Sequence, residues 1–169
     1  MIKKPTLIRK KKYFDKRGFF QEIFLLKEFK IKTIFTALAY SKKNVIRGLH
    51  FQSKNKQTKV IHVIKGKILD VIVNLKKNSK EFGKVKKYKL NAGDTLIVPN
   101  HYAHGYECLS EDCIVLYHLD NYRHKKEECG IFYKDKELNI SWNTKKPIIS
   151  KRDRLSGSFL EFKKIIKTL

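Results

Sequence analysis

No apolar stretch in the chain is long enough to cross a bilayer: uninterrupted runs stop at a few residues, such as Val71 to Val73, where a spanning helix takes about 20. This excludes a transmembrane helix, and no membrane partner is expected. The charged start MIKKPTLIRKKK is not followed by the apolar segment of a secretory signal, so the reading expects a cytoplasmic protein. Cysteine is scarce. The three thiols, Cys108, Cys113 and Cys129, are odd in number and show no CxxC spacing, which argues against both a disulfide framework and a zinc site. With three prolines, no Ser-rich linker and no repeat, nothing divides residues 1–169, and the chain is expected to form a single domain. Acidic residues are few, 16 against 39 Lys+Arg, for a formal charge of +23. Such a charge suits polyphosphates, yet lysine outnumbers arginine 33 to 6 and comes in scattered pairs. Phosphate and base readers favour the forked guanidinium. A compositional habit is the simpler account, and no nucleic-acid partner is expected.

Apolar material is ample, at 41% hydrophobic and 12% aromatic, and a chain of this length buries roughly 70% of its unfolded surface. Residues 59–75, KVIHVIKGKILDVIVNL, read as two strands joined at Lys65-Gly66 in a hairpin. Further strand-like runs end at Leu90, start at Thr95 and start at Cys113, with turn residues at 91–94 and 109–112. Short strands at close spacing indicate an all-β sandwich or barrel. Only Gly157 to Leu169, with Phe159, Leu160, Phe162, Ile165 and Ile166 at helical spacing, reads as an amphipathic C-terminal helix.

Six histidines concentrate the chemistry. In Arg47-Gly48-Leu49-His50 the Arg and His lie three apart, on opposite faces of a regular strand unless Gly48 bends it. A metal site from His50, His62 and His104 is conceivable, since imidazoles on neighbouring strands bind zinc and iron. No His-x-His pair with a following carboxylate supports it, and no metal is expected.

An ordered set of motifs resembles the dTDP-4-dehydrorhamnose 3,5-epimerase family. It begins at Phe14 to Glu22 (FDKRGFFQE) and continues with Arg47 to Gln52 (RGLHFQ), Gln57 and Lys59. It then runs through Gly66, Asp70 to Leu75, Ser79 and Phe82-Gly83. Pro99, Ala103 to Tyr106, Leu116-Tyr117 and Ile140 to Trp142 complete it. The resemblance covers about residues 13 to 153. It implies a cupin, a jelly-roll sandwich or barrel, acting as a homodimer on a nucleotide-diphosphate sugar without metal or cofactor. The family inverts carbons flanking a 4-keto group in cell-surface polysaccharide biosynthesis. Protons beside a carbonyl are removable because the carbanion is an enolate, so a base, an enolate stabiliser and an acid on the opposite face are needed.

By that resemblance His50 is the base, Asp153 the carboxylate that orients it, Lys59 the cation near the enolate oxygen and Tyr117 the acid. Arg17 and Arg47 match positions that grip the diphosphate. Phe20 and Glu22 match positions that hold the base, contributed by the partner subunit. Gln52, His104 and Tyr122 match pocket-lining positions.

Departures mark this chain. A Gln-Asp-Asn segment usual in the family is Ala37-Leu38-Ala39 here, His62 replaces a common Arg, and Asn100 and His101 stand where small or acidic residues are commoner. Removing amides from a pocket relaxes its selection of hydroxyls. A GDP-linked 4-keto heptose or another nucleotide sugar therefore stays open as substrate, as does inversion at C3, C5 or both. A cupin ketoisomerase is the other alternative, opposed by a Tyr117 acid on the far face.

Overall fold

The computed structural model describes residues 2–167. Its strands are β1 (Thr6–Arg9), β2 (Tyr13–Asp15), β3 (Gly18–Phe20), β4 (Phe35–Lys42), β5 (Ile46–Gln52), β6 (Lys59–Lys65), β7 (Lys67–Asn74), β8 (Val85–Asn91), β9 (Asp94–Val98), β10 (Tyr102–Cys108), β11 (Asp112–Leu119) and β12 (Glu128–Gly130). Three helices, α1 (Leu26–Phe29), α2 (Lys151–Arg154) and α3 (Phe159–Lys167), complete the set. Two five-stranded antiparallel sheets face one another, ordered β1-β9-β6-β11-β4 and β12-β5-β10-β7-β8. The small β2-β3 ribbon stands apart from both.

From β4 to β12 the chain changes sheet at every link except β7-β8, which makes the sandwich a jelly roll. That path corrects the expected hairpin at residues 59–75. Strand β6 pairs with β9 and β11, while β7 pairs with β8 and β10. Gly66, at φ +81°, carries the chain across, and a Cβ there would run into the Asp112 carbonyl and the Ser110 hydroxyl. Both strands are interior to their sheets, so each satisfies its backbone groups with neighbours other than its sequence partner.

Three apolar layers follow. Ile61, Ile72, Leu96 and Val115 belong to the core between the sheets. On the outer face of the second sheet, Leu69, Val71 and Val73 are covered by Ile131, Leu138, Ile140 and Phe159. Cover on both faces explains why β7 reads as a nearly continuous apolar run rather than an alternation. On the outer face of the first sheet, Val60 and Ile97 lie under Phe29 and Ile31. Strand β4, at a sheet edge, alternates instead: Thr36, Leu38 and Tyr40 are exposed while Ala37 and Ala39 are half-buried.

Helix α3 begins with a capping box: Ser158 N–H donates to Glu161 (2.6 Å) and Glu161 N–H to the Ser158 hydroxyl (3.1 Å). Phe159 and Phe162 pack inward and Leu160 and Ile165 are exposed. Thr168, Leu169 and the side chain of Ile166, parts of the expected helix, lie outside the described residues. Among the described residues, no helix is long and apolar enough to cross a membrane.

Candidate active site

A cavity of about 620 Å³ opens between the two sheets. Both Arg47 and His50 line it, although a regular strand would send them to opposite sides. Gly48, at φ +118°, breaks the alternation, and the facing strand β10 shifts register between His104 and Tyr106. The bulge lets residues three apart share one face.

His50 Nε2 lies 2.7 Å from Asp153 Oδ1. A carboxylate only accepts, so the shared proton belongs to Nε2 and the lone pair to Nδ1. Asp153 comes from α2, where the Ser150 hydroxyl accepts from Asp153 N–H at 3.1 Å. Its second oxygen accepts from Gly48 N–H at 3.1 Å, tying the bend that places His50 to the group that orients it. Burial pushes the Asp153 carboxyl up, but the His50 hydrogen bond and charge, with the Gly48 and Ser150 contacts, hold it below the usual carboxylate range. It is an anion at neutral pH.

Tyr117 reaches the cavity from β11, in the opposite sheet. Burial raises its phenol well above the ordinary value, helped by the neighbouring Tyr106 and Asp70 and opposed by Arg47. It therefore holds its proton at neutral pH. Lys59, buried on β6, donates to the His50 carbonyl at 3.3 Å. Burial lowers its ammonium to about 8, against the pull of Asp70, Glu128 and Asp120. Its cationic form still predominates at neutrality.

Sequence reasoning matched His104 to the pocket lining but gave no role to Asp70, Arg123, Glu128 or Arg152. His104 Nε2 sits 2.7 Å from Asp70 Oδ2, a second His–Asp pair, fully buried. Asp70 Oδ1 has no hydrogen-bond partner among the described residues. An acid inside the apolar run of β7 was the available signal, since buried carboxylates are kept only with partners. Glu128 bridges two cavity-lining arginines, Arg123 (2.5 Å) and Arg152 (2.8 Å). Half of the chain's six arginines thus line one cavity. Nothing in their sequence spacing brings them together.

His62 is not part of this site. Its Nδ1 meets Thr95 Oγ1 at 2.6 Å on the outer side of the first sheet, beside Phe29 and His118. Of the three imagined metal ligands, only His50 and His104 face the cavity. Among the described residues no group of three or more His, Cys, Asp or Glu stands together as a metal site.

Gln52 lines the cavity, donating to the Asn55 carbonyl at 2.7 Å. Tyr122 offers Gln52 its carbonyl at 3.3 Å, while its own side chain is exposed. Arg17, Phe20 and Glu22 are exposed and absent from their own chain's cavity. Arg17 pairs with Asp15 at 2.6 Å across the β2-β3 turn. Ala39 lines the cavity, and Ala37 pairs in register with Tyr117.

Comparison with known proteins shows the family. Residues 1–161 match the family described as dTDP-4-dehydrorhamnose 3,5-epimerase. A protein of that name from Shigella flexneri is 34% identical over 156 residues, 87% of this chain and 86% of its own. The crystal structure of such an epimerase from Bacillus anthracis, with TDP and PPi bound, superposes with a TM-score of 0.88 at 36% identity, covering 92% of this chain and 94% of that one. A dTDP-6-deoxy-D-glucose-3,5-epimerase from Legionella pneumophila, in complex with dTDP-4-keto-L-rhamnose, gives a TM-score of 0.88 at 30% identity over 91% and 87%. The chain belongs to the dTDP-4-dehydrorhamnose 3,5-epimerase family.

Proposed function

We propose that the cavity epimerises a dTDP-linked 4-keto-6-deoxy sugar by proton removal and return at the carbons beside the ketone. The observation that carries this reading is the His50–Asp153 hydrogen bond at one wall of the cavity with Tyr117 lining it from the opposite sheet. His50 Nδ1 takes the carbon-bound proton, and Asp153 stabilises the imidazolium that results. The electron pair moves onto the ketone oxygen, where the Lys59 ammonium supplies opposing charge. Tyr117 returns a proton to the carbon from the other side, and the centre is inverted. Solvent then takes the proton from His50 and restores that of Tyr117. Inversion at both C3 and C5 requires each carbon in turn to meet the same base, so the sugar must turn between steps. Arg47 grips the diphosphate, while Gln52 and His104 line the sugar's surroundings.

The chain is proposed to work as a homodimer in which Arg17, Phe20 and Glu22 complete the partner's cavity, with Tyr122 near the nucleotide. Phe14, Phe19 and Phe20 on the β2-β3 ribbon are 74%, 56% and 66% exposed, an apolar display that suits a covering partner. Mixing inactive His50→Ala with inactive Arg17→Ala tests it: hybrid dimers recover activity if the ribbon serves the other subunit, and stay silent if it serves its own. We place the enzyme in the synthesis of a cell-surface polysaccharide. NMR in deuterated water with dTDP- and GDP-linked 4-keto sugars tests the reaction itself. Loss of the C3 and C5 proton signals from the dTDP sugar is expected; no exchange with any substrate refutes the activity. The nonpolar Ala37 and Ala39 favour looser discrimination among sugars, which the same panel ranks.

A further inference from the structure

A second hollow, of about 600 Å³, lies by α3; it contains none of His50, Lys59, Tyr117 and Asp153, and shares only Phe51 and Gln52 with the catalytic cavity. Phe51, Leu75 and Cys129 line it, and α3 contributes Phe162 and Ile165. The rings of Phe51 and Phe162 meet edge to face at 5.2 Å. Lys56, Lys76 and His101 add positive or polar groups to this lining. Burial first, and then the charges of Lys76 and Lys56, hold the His101 imidazole below its ordinary value, so the three groups share one neighbourhood. Neither lysine belongs to an ion pair among the described residues. The lining carboxylate, Glu161, is engaged at the start of α3, accepting from Ser158 N–H at 2.6 Å.

Apolar rings beside Lys56 and Lys76, neither of them ion-paired among the described residues, favour a molecule that is itself apolar at one end and anionic at the other. Burial of the body supplies affinity in proportion to area, and the charge-assisted contact fixes orientation. The volume falls within the ~300–1,000 Å³ of small-molecule sites. We propose that this hollow binds a small amphipathic anion free in solution, an aromatic or short acyl body carrying a single phosphate, sulfonate or carboxylate group.

Anilinonaphthalene sulfonate, which has both ends, is the probe. Its fluorescence should rise saturably with about one site per chain, and saturating dTDP, which fills the catalytic cavity, should leave that site occupied. Paired substitutions Lys56→Glu and Lys76→Glu should weaken binding by roughly tenfold, the effect of about 1.4 kcal/mol, with kcat for epimerisation unchanged. Ile165→Glu, at an exposed position on the apolar side, should weaken it as well. Displacement of the probe by dTDP, equal affinity in these variants, or absence of saturation overturns the proposal. So does sedimentation with phosphatidylglycerol vesicles without probe binding, which would make the hollow part of a lipid-binding surface.

Discussion

Gly48 and Gly105 meet across strands β5 and β10 so closely that a Cβ on Gly48 would lie 2.5 Å from the Gly105 Cα and 2.7 Å from the His104 carbonyl oxygen. Side-chain absence on both strands permits the bulge, and the bulge puts Arg47 and His50 in one cavity.

Gly48→Ala therefore meets both a steric and a conformational penalty, since φ +118° is strained for any residue with a Cβ. A loss of about 2 kcal/mol or more is expected in urea unfolding, with kcat/KM lowered at least tenfold because the base and the phosphate grip move together. Wild-type stability would show that the strands part without consequence.

Tyr117→Phe separates the two halves of the reaction. In deuterated water the substrate's C3 or C5 proton should still exchange, because His50 and Asp153 are intact, while inverted product falls by about 10²–10⁴-fold. His50→Ala should abolish both. Full epimerisation by Tyr117→Phe would remove the phenol from the role of acid.

Lys59 predicts the alkaline limb. In the free enzyme burial lowers its ammonium to about 8, so the charge proposed to face the enolate oxygen is present below that pH and lost above it, and kcat/KM should decline through pH 8. Tyr117, raised well above its ordinary value, keeps its proton over this range. Lys59→Met should lower kcat and abolish the limb; a wild-type profile level to pH 10 would exclude the lysine.

His62 governs acid stability instead of catalysis. Burial first, then His118 and Lys10, lower its imidazole from 6.5 to about 4. Between those values the unfolded chain takes up a proton that the folded chain refuses, so stability is held above pH 6.5 and falls as pH drops towards 4. The loss is on the order of 3 kcal/mol. His62→Gln cannot titrate, so its urea midpoint should change less than that of the wild type between pH 7 and 4.5.

The chain's local pattern revealed β6, β7, β9 and β11 because their buried faces are rich in branched side chains. It did not reveal which strands pair, for a glycine turn reverses direction equally well within a sheet or between sheets. Strand β4 was hidden by its small inward alanines. The family resemblance brought His50, Asp153, Lys59 and Tyr117 together across 103 residues of separation between the first two, something spacing alone could not do. Whether Arg47 and His50 share a face depended on the bulge at Gly48, which the facing strand's register shift accommodates. Asp70 and the Arg123–Glu128–Arg152 bridge arise from tertiary contacts with no sequence periodicity.

The orienting carboxylate enters the site from α2, downstream of the last strand of either sheet. A ribosome that has released every strand has yet to deliver Asp153, so the His50–Asp153 hydrogen bond forms only when the C-terminal segment has folded back onto β5. Products of premature termination before residue 150 would carry His50 and Tyr117 but leave the imidazole without its partner. Formation of this pair thus reports that synthesis and closure of the segment have finished.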